Sequence, residues 1–246
     1  MASQPLAVIT GAAGGIGAAT AQSLSAAGYE VLMIDRNVES LQVAVKDVQR
    51  RGGTARALEL DLLDMAAVTA ALADFEGRSR VQALVNAAGI VAFGDITDIG
   101  PDRWNTMLGI KLGGNYLTCH SLIPAIAENG GGAIVNIASM SGRTKSLVSG
   151  VDYSTANAGV IGMTMTLAAQ NAKRGVRVNC IAPGMVQTPM LDGYEVSHLD
   201  AIRSAIPMQR FAKPEEIASV VAFLVSDAAS YITGETINAN GGMFTV

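Results

Sequence analysis

Short apolar runs of β-type composition alternate with longer amphipathic stretches along nearly the whole chain, and few architectures satisfy that order. Strands are expected over Leu6–Thr10, Glu30–Asp35, Ala55–Leu60, Val81–Asn86, Ala133–Ala138, Val176–Ile181 and Glu235–Asn238. Helices are expected over Gly15–Ala27, Val38–Arg51, Asp64–Glu76, Asp102–Glu128, Asp152–Arg174 and Pro214–Ser226. Pro214 followed by Glu215 and Glu216 marks a helix start, because acids are favourable at the positive end of the helix dipole. Strand–helix alternation with right-handed crossovers predicts a doubly wound α/β fold. Its seven-stranded parallel sheet is flanked by helices, and its ligand crevice lies at the carboxyl ends of the strands. The 246 residues suit one such domain, and no repeat, linker or low-complexity stretch divides them. Only the segment 185–211 breaks the alternation, and it is the candidate for covering a substrate.

Composition narrows the function classes. Net charge is −4 and the basic residues are scattered, which argues against nucleic acid as the main partner. No apolar run approaches the roughly 18 residues of a membrane span. Met1–Pro5 is short and uncharged for a signal peptide, so a cytoplasmic location is expected. Cys119 and Cys180 lack metal-type spacing, and no metal site is expected.

Thr10-Gly11-Ala12-Ala13-Gly14-Gly15-Ile16-Gly17 joins the first strand to the first helix. Gly11 permits the tight turn, Gly15 allows backbone to approach a pyrophosphate, and Gly17 lets the helix pack on the sheet. The N–H groups at the helix start would receive the phosphate charge. Asp35 follows 18 residues after Gly17, at the end of the second strand. A carboxylate there can accept both adenosine ribose hydroxyls and would repel a 2′-phosphate, so NAD(H) is expected over NADP(H). Arg36 is the counterweight, since its side chain can swing toward that position, although a solvent-exposed Arg36 is the preferred reading.

These residues, with several motifs further on, resemble the classical short-chain dehydrogenase/reductase family, and the similarity runs from Leu6 almost to Val246. Asn86-Ala87-Ala88-Gly89 matches the motif after the fourth strand. Ile134-Val135-Asn136-Ile137-Ala138-Ser139 matches the fifth strand with its terminal serine, and Asn179-Cys180-Ile181-Ala182-Pro183-Gly184 with Thr188 matches the segment beside the nicotinamide. Ile206-Pro207 through Arg210, Pro214-Glu215-Glu216-Ile217-Ala218, Thr233-Gly234 and Gly241-Gly242 complete the match. The resemblance implies a Rossmann-fold oxidoreductase that interconverts a secondary alcohol and a ketone by hydride transfer, as a dehydrogenase or carbonyl reductase. It implies cofactor contacts from Gly11, Ala13, Gly15, Ile16, Gly17, Asp35, Arg36, Asp61, Leu62, Asn86, Ala87, Gly89, Tyr153, Pro183, Gly184, Val186 and Thr188. It also implies a homotetramer built through the long helices Asp102–Glu128 and Asp152–Arg174 and the C-terminal segment.

In that family a tyrosine, here Tyr153, is the general acid/base, and a serine, here Ser139, hydrogen-bonds the reacting oxygen. A free tyrosine with a pKa near ~10 is a poor base at neutral pH. A cation about 4 Å away contributes roughly 4 kcal/mol at an effective dielectric of ~20, which bounds the help a lysine gives. The family's lysine is expected four residues after the tyrosine, where Asn157 stands. Conversely Lys111, seven residues after Trp104, stands where the family carries an asparagine. Three readings remain open. Lys111 reaches across to Tyr153 and the ribose while Asn157 takes over hydrogen bonding; or catalysis has decayed and the protein binds cofactor as a sensor or structural partner; or Asn115, one helical turn past Lys111, supplies the missing amide. The first is preferred, because random decay would seldom return the complementary residue at the partner position.

Ser141 is the fallback if the loop after Ser139 slips. Arg143 and Lys145 lie between Ser139 and Tyr153 and could receive a carboxylate or phosphate, although a solvated loop face is the preferred reading. Tyr194 and His198 are candidate lid contacts. Met185, Met190 and Met208 suggest an adaptable, partly apolar lid.

Overall fold

A computed structural model describes residues 4–91, 93–146, 149–191 and 196–245. Its strands are β1 (Leu6–Thr10), β2 (Glu30–Asp35), β3 (Ala55–Glu59), β4 (Val81–Asn86), β5 (Gly132–Ile137), β6 (Val176–Pro183) and β7 (Thr236–Ala239). They form one parallel seven-stranded sheet in the order β3-β2-β1-β4-β5-β6-β7, as the alternation predicts. The helices are α1 (Gly15–Ala26), α2 (Val38–Arg50), α3 (Met65–Ala73), α4 (Pro101–Leu108), α5 (Gly114–Glu128), α6 (Val151–Asn171), α7 (Val196–Ala205) and α8 (Pro214–Val225). Among the described residues no helix is long and apolar enough to cross a membrane.

The central strands are buried on both faces, which is why β1, β2 and β5 read as nearly continuous apolar runs, whereas the edge strands β3 and β7 are half-buried. Along β1 and β2, Ala7, Ile9, Val31 and Met33 join Leu24, Leu41, Val45 and Ile217 from α1, α2 and α8 in one core. The alternate residues Leu6, Val8, Leu32 and Ile34 join Val68, Leu72, Leu122 and Ile126 from α3 and α5 in the other. Strand order reverses about β1, whose neighbours are β2 and β4, so a crevice opens at their carboxyl ends.

Two departures from the sequence reading bear on the site. The helix expected over Asp102–Glu128 is divided by a single wide π turn, Gly109–Gly113, between α4 and α5. Two glycines here bring the backbone close to leucine side chains: a Cβ at Gly109 would sit 2.7 Å from Leu63 Cδ2, and one at Gly114 2.8 Å from Leu62 Cδ1, so either leucine would have to shift. The segment 185–211 also contains a helix, α7, that the broken alternation did not predict. Val196, Leu199, Ile202 and Ile206 carry the helical spacing that signals it.

Candidate active site

The turn from β1 into α1 is built as its glycines require. Gly11 and Gly15 adopt left-handed φ values of 67° and 53°. A Cβ at Gly11 would approach the Ala88 backbone to 2.6 Å, and one at Gly17 would approach the Gly11 carbonyl oxygen to 2.1 Å. Asp35 is held against this turn: Oδ2 accepts the Ala13 N–H at 3.1 Å and Oδ1 accepts the Asn37 N–H at 3.0 Å.

A cavity of about 810 Å³ runs along the carboxyl ends of the strands. Of the expected cofactor contacts, Gly11, Gly15, Ile16, Gly17, Asp35, Arg36, Asp61, Leu62, Ala87, Gly89, Tyr153, Pro183, Gly184, Val186 and Thr188 line it. Ala13 does not line it and acts through its N–H on Asp35. Asn86 does not line it either. Its fully buried amide donates to Asn136 Oδ1 at 2.9 Å and accepts from the Thr118 hydroxyl at 2.7 Å, while Asn136 donates to Thr164 Oγ1 at 2.9 Å. This ladder ties β4 and β5 to α5 and α6, so Asn86 shapes the crevice floor and leaves contact to its neighbours. The cavity's size, the glycine cradle and the carboxylate at the β2 end together fit an elongated dinucleotide.

Ser139, Tyr153 and Lys111 share the wall of this cavity. Ser139 caps the turn after β5, its Oγ accepting the Ser141 N–H at 3.2 Å. Burial raises the Tyr153 hydroxyl above its ordinary pKa, and hydrogen bonds with the Ser139 and Asn157 side chains offset only part of that rise. Ser139 is therefore the serine coupled to Tyr153, whereas the Ser141 hydroxyl lies 3.4 Å from that of Ser149. Tyr153 is positioned by its neighbour Asp152. That fully buried carboxylate accepts the Tyr153 N–H at 2.9 Å and pairs with Arg103 from α4 at 3.0 Å.

Lys111 sits in the π turn and is 4 % exposed. Its ammonium passes beside Gly89, where a Cβ would lie 3.1 Å from Nζ. It donates to the carbonyls of Ile137 at 2.6 Å and Ala88 at 3.3 Å, so the expected direct contact with the Tyr153 hydroxyl gives way to these two acceptors. Burial pushes its pKa down to about 8, opposed by Cys180. Burial in turn pushes the Cys180 thiol up to about 11, with Lys111 acting to lower it.

Asn157 is fully buried beneath the cavity rather than on its wall. Its Nδ2 donates to the Tyr153 backbone carbonyl at 2.8 Å, and its Oδ1 has no partner among the described residues. Asn115 on α5 is also fully buried, with neither amide atom partnered among the described residues. Arg143 is committed to structure, donating to Thr236 O at 3.0 Å and Asn238 Oδ1 at 3.1 Å and lying over the Phe244 ring. Lys145 is exposed, as the solvated-face reading expects, and also lines the cavity. Met185 lines it too, whereas Met208 is exposed and does not. Tyr194 and the side chains of Met190 and His198 lie outside the described residues. Ile90, Leu191, Ile202 and Met243 are among the lining residues not singled out from the sequence, because apolar residues far apart in sequence carry no local signal of facing one cavity.

Comparison with known proteins agrees with this geometry. A family profile described as enoyl-(acyl carrier protein) reductase matches residues 11–244. The chain is 36 % identical to the short-chain reductase protein NovJ of Streptomyces niveus, over 97 % of this chain and 94 % of that protein. It is 37 % identical to D-threitol dehydrogenase of Mycolicibacterium smegmatis, over 96 % of this chain and 92 % of the relative. A crystal structure described as a putative NAD(P)-dependent gluconate 5-dehydrogenase from Beutenbergia cavernae, with bound NADP at low occupancy, superposes with a TM-score of 0.93. It is 33 % identical and covers 98 % of this chain and 97 % of its own. The glycine cradle, the parallel sheet and the Ser139–Tyr153 wall thus belong to a nicotinamide-dependent oxidoreductase, and the chain is a member of the short-chain dehydrogenase/reductase family.

Proposed function

We propose that this protein is an NAD(H)-dependent oxidoreductase interconverting a secondary alcohol and a ketone, with Tyr153 as general acid/base. The observation that carries this reading is the convergence of Ser139, Tyr153 and Lys111 on one cavity whose far end holds the glycine turn and Asp35. A bound nicotinamide supplies or accepts the hydride. In reduction, the Tyr153 hydroxyl gives its proton to the carbonyl oxygen while a C–H bond forms at the carbonyl carbon; oxidation reverses both transfers. The Ser139 hydroxyl donates a hydrogen bond to the same oxygen. Lys111 contributes a positive charge to the wall beside Gly89, where low solvent access strengthens its field on a developing tyrosinate. Asn157 acts beneath Tyr153, bracing the first turn of α6. The segment 185–211 covers the substrate, a role supported by Met185, Leu191, Ile202 and Ala205 on the cavity wall.

NAD(H) preference is supported by the Asp35 carboxylate, held at the β2 end where a 2′-phosphate would meet its charge. The NADP in the Beutenbergia neighbour makes cofactor choice the first thing to measure. Turnover of a panel of ketones and secondary alcohols, followed through nicotinamide absorbance with each cofactor, tests the reading. Tyr153→Phe should lower kcat by about 10²–10⁴-fold. Tight NADH binding without turnover of any compound would instead favour a cofactor-binding protein, and a higher kcat/KM with NADPH would overturn the cofactor preference.

A further inference from the structure

The substrate end of the cavity has an uneven distribution of charge. Together with Ser139 and Tyr153, the cavity is lined by the polar Ser141, Lys145 and Ser149 and by the apolar Leu191, Ile202 and Met243. Five charged residues line the cavity among those described: Asp35, Arg36, Asp61, Lys111 and Lys145. Asp35, Arg36 and Asp61 lie at the ends of β2 and β3, away from the reacting wall. Lys111 is buried and committed to two carbonyls. Lys145 remains. It is exposed, and no hydrogen bond or ion pair engages it among the described residues. Arg143, two residues earlier in the same loop, shows the contrast, since its guanidinium is spent on the β7 strand and Phe244.

We propose, resting on the oxidoreductase reading above, that the substrate is an anionic carbonyl compound or its alcohol whose carboxylate or phosphate is received by Lys145. The ammonium is the only charge this end of the cavity offers among the described residues, so an anionic group gains there what a neutral one does not. The Ser141 and Ser149 hydroxyls, 3.4 Å apart and lining the same cavity, add a donor suited to anionic oxygens. The apolar Leu191, Ile202 and Met243 that line the same cavity accept a hydrocarbon body, while the charged end goes to Lys145 in the 139–153 loop. Lys145 would thus be a specificity-determining residue, selecting among carbonyl compounds without taking part in proton or hydride transfer.

The test compares an oxo acid, its methyl ester and a keto phosphate ester of similar length, each with wild type, Lys145→Gln and Lys145→Arg. Wild type should favour one or both anions over the ester by about 10–100-fold in kcat/KM, as expected for a hydrogen bond to a charged group. Lys145→Gln should bring that ratio close to one and Lys145→Arg should keep most of it. The preference should weaken with added salt. Whichever anion loses more on Lys145→Gln identifies the group received. A wild-type ratio near one, or a preference that survives Lys145→Gln, overturns the proposal while leaving the oxidoreductase reading intact. If no compound turns over, calorimetric binding of the acid and the ester to the NADH-loaded protein gives the same comparison, and equal affinity overturns the proposal.

Discussion

At the scale of the residue, the protein turns on a lysine in an unusual place. Lys111 is buried in a π turn with its pKa down at about 8, against an ordinary value of 10.5. Between those values the unfolded chain binds the proton that the folded chain has released. Lys111 therefore makes the fold more stable as pH rises from about 8 to 10.5, by about 3 kcal/mol in all. The buried thiols oppose this: Cys180 and Cys119, pushed up from 9.0 to about 11 and about 12, remove stability as pH rises above 9. Denaturant unfolding of wild type and Lys111→Met across this range isolates the lysine. The variant should lack the rising component, and identical pH slopes would mean that Lys111 is not desolvated. In catalysis, Lys111→Met should lower kcat by about 10²-fold or more and move the onset of alcohol oxidation to higher pH. An unchanged pH–rate profile would show that the cation does not act on Tyr153. At the opposite end of the cavity, Asp35→Ser removes the carboxylate that would repel a 2′-phosphate. The ratio of kcat/KM for NADH over NADPH should fall about tenfold or more.

Elements set where those residues stand. Gly109 in the π turn and Gly114 at the start of α5 bring the backbone close to Leu63 and Leu62, and the widened turn carries Lys111 in beside Gly89. One turn later α5 buries Asn115 with both amide atoms unpartnered among the described residues. Asn115→Leu, similar in shape and free of polar atoms, should raise stability by about 1–3 kcal/mol if the site takes the larger methyl groups, read from the denaturant midpoint. A drop would show that the amide meets a partner that matters to the fold. The start of α6 is secured by the Arg103–Asp152 pair, half of which is fully buried. Asp152→Ala should cost about 2–3 kcal/mol and reduce kcat more than it raises KM, because it frees the Tyr153 N–H and loosens the phenol's footing.

For the whole molecule, a ligand that binds only the folded chain adds stability by mass action. NAD⁺ at a hundredfold excess over its Kd should contribute about 2.7 kcal/mol, so the melting temperature should rise with NAD⁺ and less with an equal concentration of NADP⁺. Equal shifts would remove the case for Asp35 as a discriminator. The fold itself was legible from the chain: the strand limits agree with the sequence reading to within two residues at every end. Apolar runs buried on both faces and separated by helical periodicity admit little besides a doubly wound sheet. The glycine turn and Asp35 were legible for the same local reason, since left-handed backbone and close approach leave glycine as the practical choice. Local order could not say that Asn86 faces the core, that α7 lines the cavity, or that Arg143 is spent on β7 while Lys145 is not. Nor could it direct the Lys111 ammonium to Ile137 and Ala88. The chain by itself determined the strands, their order and most of the helices, because periodicity and backbone permission are properties of neighbouring residues. Only the tertiary structure decided which polar groups meet one another, because their partners come from distant strands and burial leaves each few alternatives.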